Sequence, residues 1–171
     1  QGLNILLNIF FNPVVNAARG IAVQVQNIVN NFCINIQMAI NPQLTKSYAT
    51  NDLKRMHELI IASSKYSFYL MILICLPLAI EAKIVLEWWL GKFPEHSVSF
   101  LRLILISSLL SCISGPIITA VHATGRIKWF QIYEGTSLLS IVPIAYITLK
   151  FFNVPPESVF IVHIIIEIIT Q

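Results

Sequence analysis

Charged side chains are scarce in this sequence. Asp, Glu, Lys and Arg make up 11% of the 171 residues, whereas 56% are hydrophobic and the mean hydropathy is +0.75. Soluble domains carry about 25% charged residues, because a surface that faces water needs them. The shortage excludes an ordinary soluble domain and indicates lipid as the surrounding solvent. The net charge of +3 is dispersed, with no basic stripe interleaved with aromatics, so we expect no nucleic-acid partner.

Motifs that carry enzyme or metal chemistry are also missing. The three cysteines, Cys33, Cys75 and Cys112, each lie inside an apolar run and have neither metal-ligand spacing nor a CxxC pair. We therefore expect them to be small buried hydrophobic residues and not a metal site. The sequence contains no GxSxG, no HExxH and no glycine-rich phosphate loop. We expect no enzyme activity and no cofactor.

Long hydrophobic runs, in contrast, are abundant. A run of ~20 apolar residues crosses a bilayer, and by that measure the sequence predicts an all-α, polytopic transmembrane bundle of about five helices plus a stub. The predicted helices cover about 1–11 (partial), 14–41, 59–82, 98–122, 129–149 and 157–171 (partial). A short amphipathic piece at 84–90 precedes the predicted helix 98–122. Since the first and last runs look truncated and the start lacks the form of a signal peptide, we expect a piece of a longer protein.

Basic residues in the loops predict an orientation. They concentrate in two of the connections between predicted helices, 43–57 and 123–128, whereas the connections 81–97 and 150–157 are mixed in sign. The basic residues in question are Lys46, Lys54, Arg55, Arg126 and Lys128. Cytoplasmic loops of membrane proteins carry the excess of Lys and Arg. We therefore expect loops 43–57 and 123–128 to be cytoplasmic.

The second predicted helix combines an apolar half with a row of amides. Wound at ~100° per residue, nine amides and Arg19 fall within roughly half its circumference. The amides are Asn16, Gln24, Gln26, Asn27, Asn30, Asn31, Asn35, Gln37 and Asn41. Unpaired polar groups in lipid cost several kcal/mol each, so the row favours the wall of a polar passage over simple adhesion between helices. The candidate substrate-cavity residues are Asn16, Arg19, Gln26, Asn27, Asn30 and Gln37.

Five of the ionisable residues within or near the predicted spans are candidates for binding or ion coupling. Arg19 and Arg102 are candidates for holding a phosphate or carboxylate, because a guanidinium is always charged and binds such groups in pairs of hydrogen bonds. The alternative is that they snorkel to the membrane surface. Glu134, His163 and Glu167 are candidates for ion coupling, since carboxylates inside a membrane mark ion paths. The alternative for Glu134 is pairing with the basic residues of the preceding loop.

Four connecting segments, in their order and spacing, resemble a known family. They read NPVVNAARG at 12–20, NPQLTKSY at 41–48, WWLGKFPE at 88–95 and ATGRIK at 123–128. With them the chain resembles the second half of a Wzx-type polysaccharide flippase, of the kind that carries O-antigen or lipopolysaccharide in Bacteroides-like bacteria. This family belongs to the superfamily that also holds the MATE multidrug exporters.

The resemblance implies a multi-pass transporter of the bacterial inner membrane with twelve to fourteen helices. Residues 1–171 would be part of its C-terminal bundle, facing an N-terminal bundle of the same protein across a central cavity. The cargo would be undecaprenyl-diphosphate-linked oligosaccharide for surface polysaccharide or lipopolysaccharide biosynthesis, with the amides meeting sugar hydroxyls and Arg19 the diphosphate. Membrane lipid and a coupling H⁺ or Na⁺ are the other expected partners. Two alternatives remain: a MATE-type ion-coupled multidrug exporter, and a membrane scaffold that transports nothing.

Overall fold

The structure, a computed structural model, describes residues 2–152 and 154–170. These residues form seven α-helices and no strand, which confirms the all-α prediction. The helices are α1 (Gly2–Phe10), α2 (Pro13–Ala49), α3 (Leu53–Ile80), α4 (Ala82–Leu90), α5 (Ser97–Ala123), α6 (Lys128–Phe152) and α7 (Ser158–Thr170). The predicted number, about five plus a stub, is wrong. The short piece near 84–90 is a separate two-turn helix, α4, whose Ala82 and Leu86 are fully buried.

The amide helix does not end at Pro42. Proline lacks the N–H that would bond one turn back, yet α2 continues through it to Ala49. The added turns bury Leu44, which packs with Met56 of α3 and Ala120 of α5. This packing offsets the one missing hydrogen bond. At 1.5 Å per residue α2 is about 55 Å long, which exceeds the ~30 Å hydrocarbon core of a bilayer.

The predicted loop 43–57 shrinks accordingly to residues 50–52. Its far end is set by Asp52, whose side chain accepts a hydrogen bond of 3.1 Å from the backbone N–H of Arg55. An aspartate in this position satisfies an amide at the start of a helix that otherwise has no partner. Helix α3 therefore begins at Leu53, six residues before the start that hydrophobicity alone predicted.

Among the residues that the structure describes, three helices are long and apolar enough to cross a membrane, namely Leu53–Ile80, Ser97–Ala123 and Lys128–Phe151. They fit a membrane-embedded protein. Helix α2 has the length but is not among the three, because its amides occupy positions that apolar residues fill in the other long helices. Helix α7 is apolar but short.

The helices α2, α3 and α5 pack against one another, and α7 packs against α5 and α6. Helix α1 contacts both α2 and α6, so the helices α2, α5, α7, α6 and α1 contact one another in a closed circuit. In the first two thirds of α2 the buried residues are small: Ala18, Ala22, Val25, Val29 and Cys33. Small side chains allow close approach of neighbouring helices. The buried part of the apolar half of α2 is thus a packing surface for α3 and α5, whereas Ile28 and Phe32 of the same half are exposed.

The two basic connections lie at the same end of the bundle. Leu44 and Met56, on either side of the first connection, share a cluster with Ala120, which lies just before the second. This arrangement agrees with an up-and-down path of the chain. Which side of the membrane this end faces stays a prediction.

Candidate functional site: a polar cluster between the helices

A half-buried carboxylate lies at the centre of the site. Glu167 belongs to the apolar helix α7, and its side chain is 13% exposed. Ser107 Oγ of α5 donates a hydrogen bond of 2.5 Å to Glu167 Oε2, and the hydroxyl of Ser111 donates to Oε1. Ser107 and Ser111 are four residues apart and therefore share one face of α5. Two hydroxyl donors thus satisfy the carboxylate in an otherwise apolar contact between α5 and α7.

His163 lies one turn before Glu167 on the same face of α7, as the spacing predicts. Its Nδ1 is 3.8 Å from Glu167 Oε2. This separation makes the two groups an ion pair when the imidazole is protonated, and it is too long for a hydrogen bond. We refer to His163 and Glu167 as the His–Glu pair.

A pocket of about 190 Å³ lies on one side of the His–Glu pair, between α5, α6 and α7. Glu134 of α6 lines it together with both members of the pair and with Ser114 of α5. The structure therefore brings the three predicted ion-coupling residues together. Within the described part of the chain, no ion pair joins Glu134 to the basic residues of the loop before α6. We refer to this cavity as the acidic pocket.

A second pocket, of about 140 Å³, lies on the other side of the pair, between α1, α2, α5 and α7. Arg19 and Gln26 of α2, Ser107 and His163 line it. The Arg19 guanidinium donates to Asn4 Oδ1 of α1 through one terminal nitrogen, and its Nε is buried without a partner. We refer to this cavity as the arginine pocket. His163 lines both cavities, whereas Glu167 lines only the acidic pocket.

Arg102 is not part of this cluster. It is exposed, and its Nε donates to the carbonyl oxygen of Ala79 at 2.9 Å and its Nη2 to that of Ile80 at 3.4 Å. These carbonyls end α3, where backbone acceptors lack partners in the helix. The structure therefore gives Arg102 a helix-capping contact and does not place it beside Arg19.

The amides of the row fall into two groups that differ in exposure. Asn16, Gln26, Asn30, Gln37 and Asn41 are half-buried, whereas Gln24, Asn27, Asn31 and Asn35 are exposed. Asn30 and Gln37 line a third cavity of about 130 Å³ with Ser108 and Ser111 of α5. Among the amides that the structure describes in this row, only Gln37 bonds to another helix, through Nε2 to the carbonyl oxygen of Cys112 at 3.1 Å. Hydrogen bonding between helices of this bundle therefore accounts for the presence of one amide of the row. The exposed amides face outward from the bundle.

The sequence reasoning missed the serines of α5. Ser107, Ser108, Ser111 and Ser114 occupy a stretch of eight residues in an otherwise apolar helix. Hydroxyls at i and i+4 in a membrane-length helix were the signal that could have revealed a polar partner for Glu167. In residues 2–152 and 154–170, no three His, Cys, Asp or Glu side chains are grouped so that they could hold a metal ion.

We compared the chain with models of protein families, with curated proteins and with solved structures, and nothing matches it. The resemblance of its connecting segments to Wzx-type flippases therefore stays a prediction.

Proposed function

We propose that this chain is part of a transporter that flips undecaprenyl-diphosphate-linked oligosaccharide across the bacterial inner membrane. The observation that carries the proposal is the arginine pocket. There the cationic Arg19, the amide Gln26 and the imidazole His163 converge between helices of a membrane protein. A guanidinium with an unpartnered Nε is suited to an anionic oxygen-rich group such as a diphosphate.

The size of the pocket indicates which part of the cargo it would hold. Sites for drug-sized ligands occupy roughly 300–1,000 Å³, so a cavity of about 140 Å³ fits a phosphate group and not an oligosaccharide. The sugar would lie along the exposed amides of α2, including Asn27 and Asn31, which offer both donors and acceptors to hydroxyls. An N-terminal bundle of the same protein would form the opposite wall of this path.

The same proposal places the remaining helices. Helices α2 and α7 would lie in the membrane beside the three apolar spans, as part of a twelve- to fourteen-helix transporter. Residues 43–57 and 123–128, at one end of the bundle, would face the cytoplasm, and membrane lipid would cover the exposed apolar side chains. Glu134, His163 and Glu167 would bind the coupling H⁺ or Na⁺, because ionisable groups between membrane helices are costly and mark ion paths.

A MATE-type multidrug exporter is the second candidate, and the acidic pocket favours it. Glu134 and Glu167 line that cavity together with the ring of Phe130, and carboxylates with an aromatic face attract organic cations. The arginine pocket, in contrast, would repel such a cargo. We therefore place this candidate second.

Complementation of a flippase-deficient strain by the full-length gene tests the proposal. We expect the wild type to restore surface polysaccharide, Arg19→Ala to abolish restoration, and Asn30→Ala to reduce it. Arg126→Ala, which changes an exposed arginine in the connection before α6, is the matched control and should behave as the wild type. If a normally expressed Arg19→Ala variant restores polysaccharide fully, the assigned site is wrong, and an unaffected Asn30→Ala variant would remove the amide cavity beside α5 from the substrate path. Resistance to cationic drugs without restored polysaccharide would favour the exporter.

A further inference from the structure

The amide cavity between α2 and α5 supports a further inference, which deepens the proposed function and rests on it. This cavity of about 130 Å³ has Asn30, Gln37, Ser108 and Ser111 as its polar lining residues. We propose that it is a binding subsite for a single neutral sugar ring of the transported oligosaccharide, and that it rejects acidic sugars.

Ser108 provides the observation that points to a ligand. Its side chain is 1% exposed and lines the amide cavity, yet its Oγ has no hydrogen-bond partner among the residues that the structure describes. Buried hydroxyls in folded proteins are nearly always paired, because an unpaired one has given up its bonds to water. A hydroxyl of a bound ligand would supply the missing partner.

The rest of the lining combines hydrogen-bonding groups with apolar surface. The amide of Asn30 offers two donors and an acceptor, and the hydroxyl oxygen of Ser111 can accept. Ile34, Cys33 and Cys112 line the same cavity with apolar surface. A sugar ring presents the matching combination, since its hydroxyls donate and accept at the edge and its C–H groups form the faces. The chemistry of the lining therefore favours a polyhydroxylated ring.

The charges around the amide cavity indicate a neutral ligand. No Lys, Arg, His, Asp or Glu is among its lining residues. A buried anion needs a partner of opposite charge, so a diphosphate or a uronic acid would lose its hydration without compensation here. The carboxyl group of Glu167 lies behind Ser111 and offers no attraction to an anion. An organic cation is disfavoured as well, because neither a carboxylate nor an aromatic ring lines the cavity.

The size and position of the amide cavity fit one ring close to the diphosphate. A cavity of about 150 Å³ holds a benzene ring, so this one accommodates much of a single six-membered ring and not a disaccharide. Ser107 lines the arginine pocket, and the next residue, Ser108, lines the amide cavity. Gln26 and Asn30, about one turn apart on α2, line the two cavities in the same order. The diphosphate and one sugar of the same cargo can therefore occupy neighbouring cavities.

Protection of a cysteine at the cavity tests the proposal in the full-length protein in lipid nanodiscs. Ile34 lines the cavity and is 44% exposed, so Ile34→Cys should react with a water-soluble methanethiosulfonate. The probes are the methyl glycosides of glucose, galactose, mannose and N-acetylglucosamine, compared with glucuronate and galacturonate. A neutral glycoside should slow the reaction about tenfold once its concentration is about ten times its Kd, and the acids should not. Asn27→Cys, at an exposed amide outside this cavity, is the control whose reaction should not change.

A pair of serine variants tests the role of the unpartnered hydroxyl. Ser108→Ala, in the Ile34→Cys background, should raise the concentration needed for half protection by about twofold to about tenfold. Ser63→Ala is the matched control and should have no effect, because Ser63 is fully buried with an unpartnered hydroxyl but does not line the amide cavity. Unchanged protection in Ser108→Ala would overturn the assignment of the subsite. The comparison of neutral with acidic sugars keeps Ser108, so it decides the matter even if Ser108→Ala fails to fold.

The outcomes separate this inference from the proposed function. An unreactive Ile34→Cys, no protection by any neutral glycoside, or equal protection by the acids would each overturn the inference. The proposed function would stand in these cases if restoration of surface polysaccharide still depends on Arg19. Protection by a neutral glycoside in a protein that restores no polysaccharide would overturn the proposed function and leave the sugar site in place.

Discussion

The contact between Gly115 of α5 and Gln37 of α2 makes a prediction about stability that does not depend on the transported substrate. A β-carbon at Gly115 would lie 2.6 Å from Nε2 and 2.8 Å from Cδ of Gln37. The same Nε2 donates to the carbonyl oxygen of Cys112. Gly115→Ala must therefore displace the amide and break this hydrogen bond, although the flexible end of Gln37 can move aside.

Two opposing contributions determine how much Gly115→Ala changes the free energy of unfolding. Loss of the hydrogen bond costs about 0.5–1.5 kcal/mol, whereas replacing a helical glycine with alanine contributes about 0.8–1.0 kcal/mol. Gly115→Ala should therefore leave the free energy of unfolding within about 0.7 kcal/mol of the wild type. In a Gln37→Ala background the bond is already absent, so Gly115→Ala should stabilise the protein by about 1 kcal/mol. The difference between the two backgrounds is the coupling energy of the pair.

The assay is equilibrium unfolding of the four purified proteins in mixed detergent micelles. Gly135→Ala is the matched control, because a β-carbon at this helical glycine of α6 has nothing within 4 Å to meet. It should stabilise by about 1 kcal/mol in both backgrounds. Equal effects of Gly115→Ala with and without Gln37 would refute the reasoning and the packing of α2 against α5 on which it rests.

Two further predictions concern the exposed face of α2 and the capping arginine. A cysteine in place of Asn27, which is exposed, should react quickly with a water-soluble maleimide in membranes. A cysteine in place of Val29, which is 2% exposed, should stay unmodified. Full protection of both cysteines would show that the amide face is packed against another helix. Arg102→Ala should lower the free energy of unfolding by about 1 kcal/mol, since two carbonyls of α3 lose their donor. The same variant should restore surface polysaccharide in the complementation strain, and a failure at normal expression would place Arg102 in the substrate path.

Local features of the sequence predicted the helices well in their interiors and poorly at their ends. Hydrophobic runs identified the positions of α3, α5 and α6, because membrane-length apolar runs need no long-range information to recognise. Pro42 looked like the end of α2, and only the burial of Leu44 against Met56 and Ala120 explains why the helix continues. The capping role of Asp52 was readable from the sequence but was hidden within a segment that looked like a polar loop.

The sequence also predicted only part of the candidate functional site. The i, i+4 spacing already placed His163 beside Glu167, since both lie on one helix. Glu134 joins them only because α6 packs on α7, and Ser107 and Ser111 only because α5 does. For Arg102 the sequence was misleading. Its predicted depth in the membrane was similar to that of Arg19, but in the structure it contacts the end of α3.

The sequence by itself determined that the protein is helical and largely apolar, and that one long helix carries its amides and Arg19 on one side. These properties follow from composition and from a period of 3.6 residues, which act over neighbouring positions. Only the tertiary structure decided which side chains share a cavity. Contacts between helices depend on how small residues such as Ala18 and Ala22 let them approach, and that packing joins residues more than a hundred positions apart in the chain.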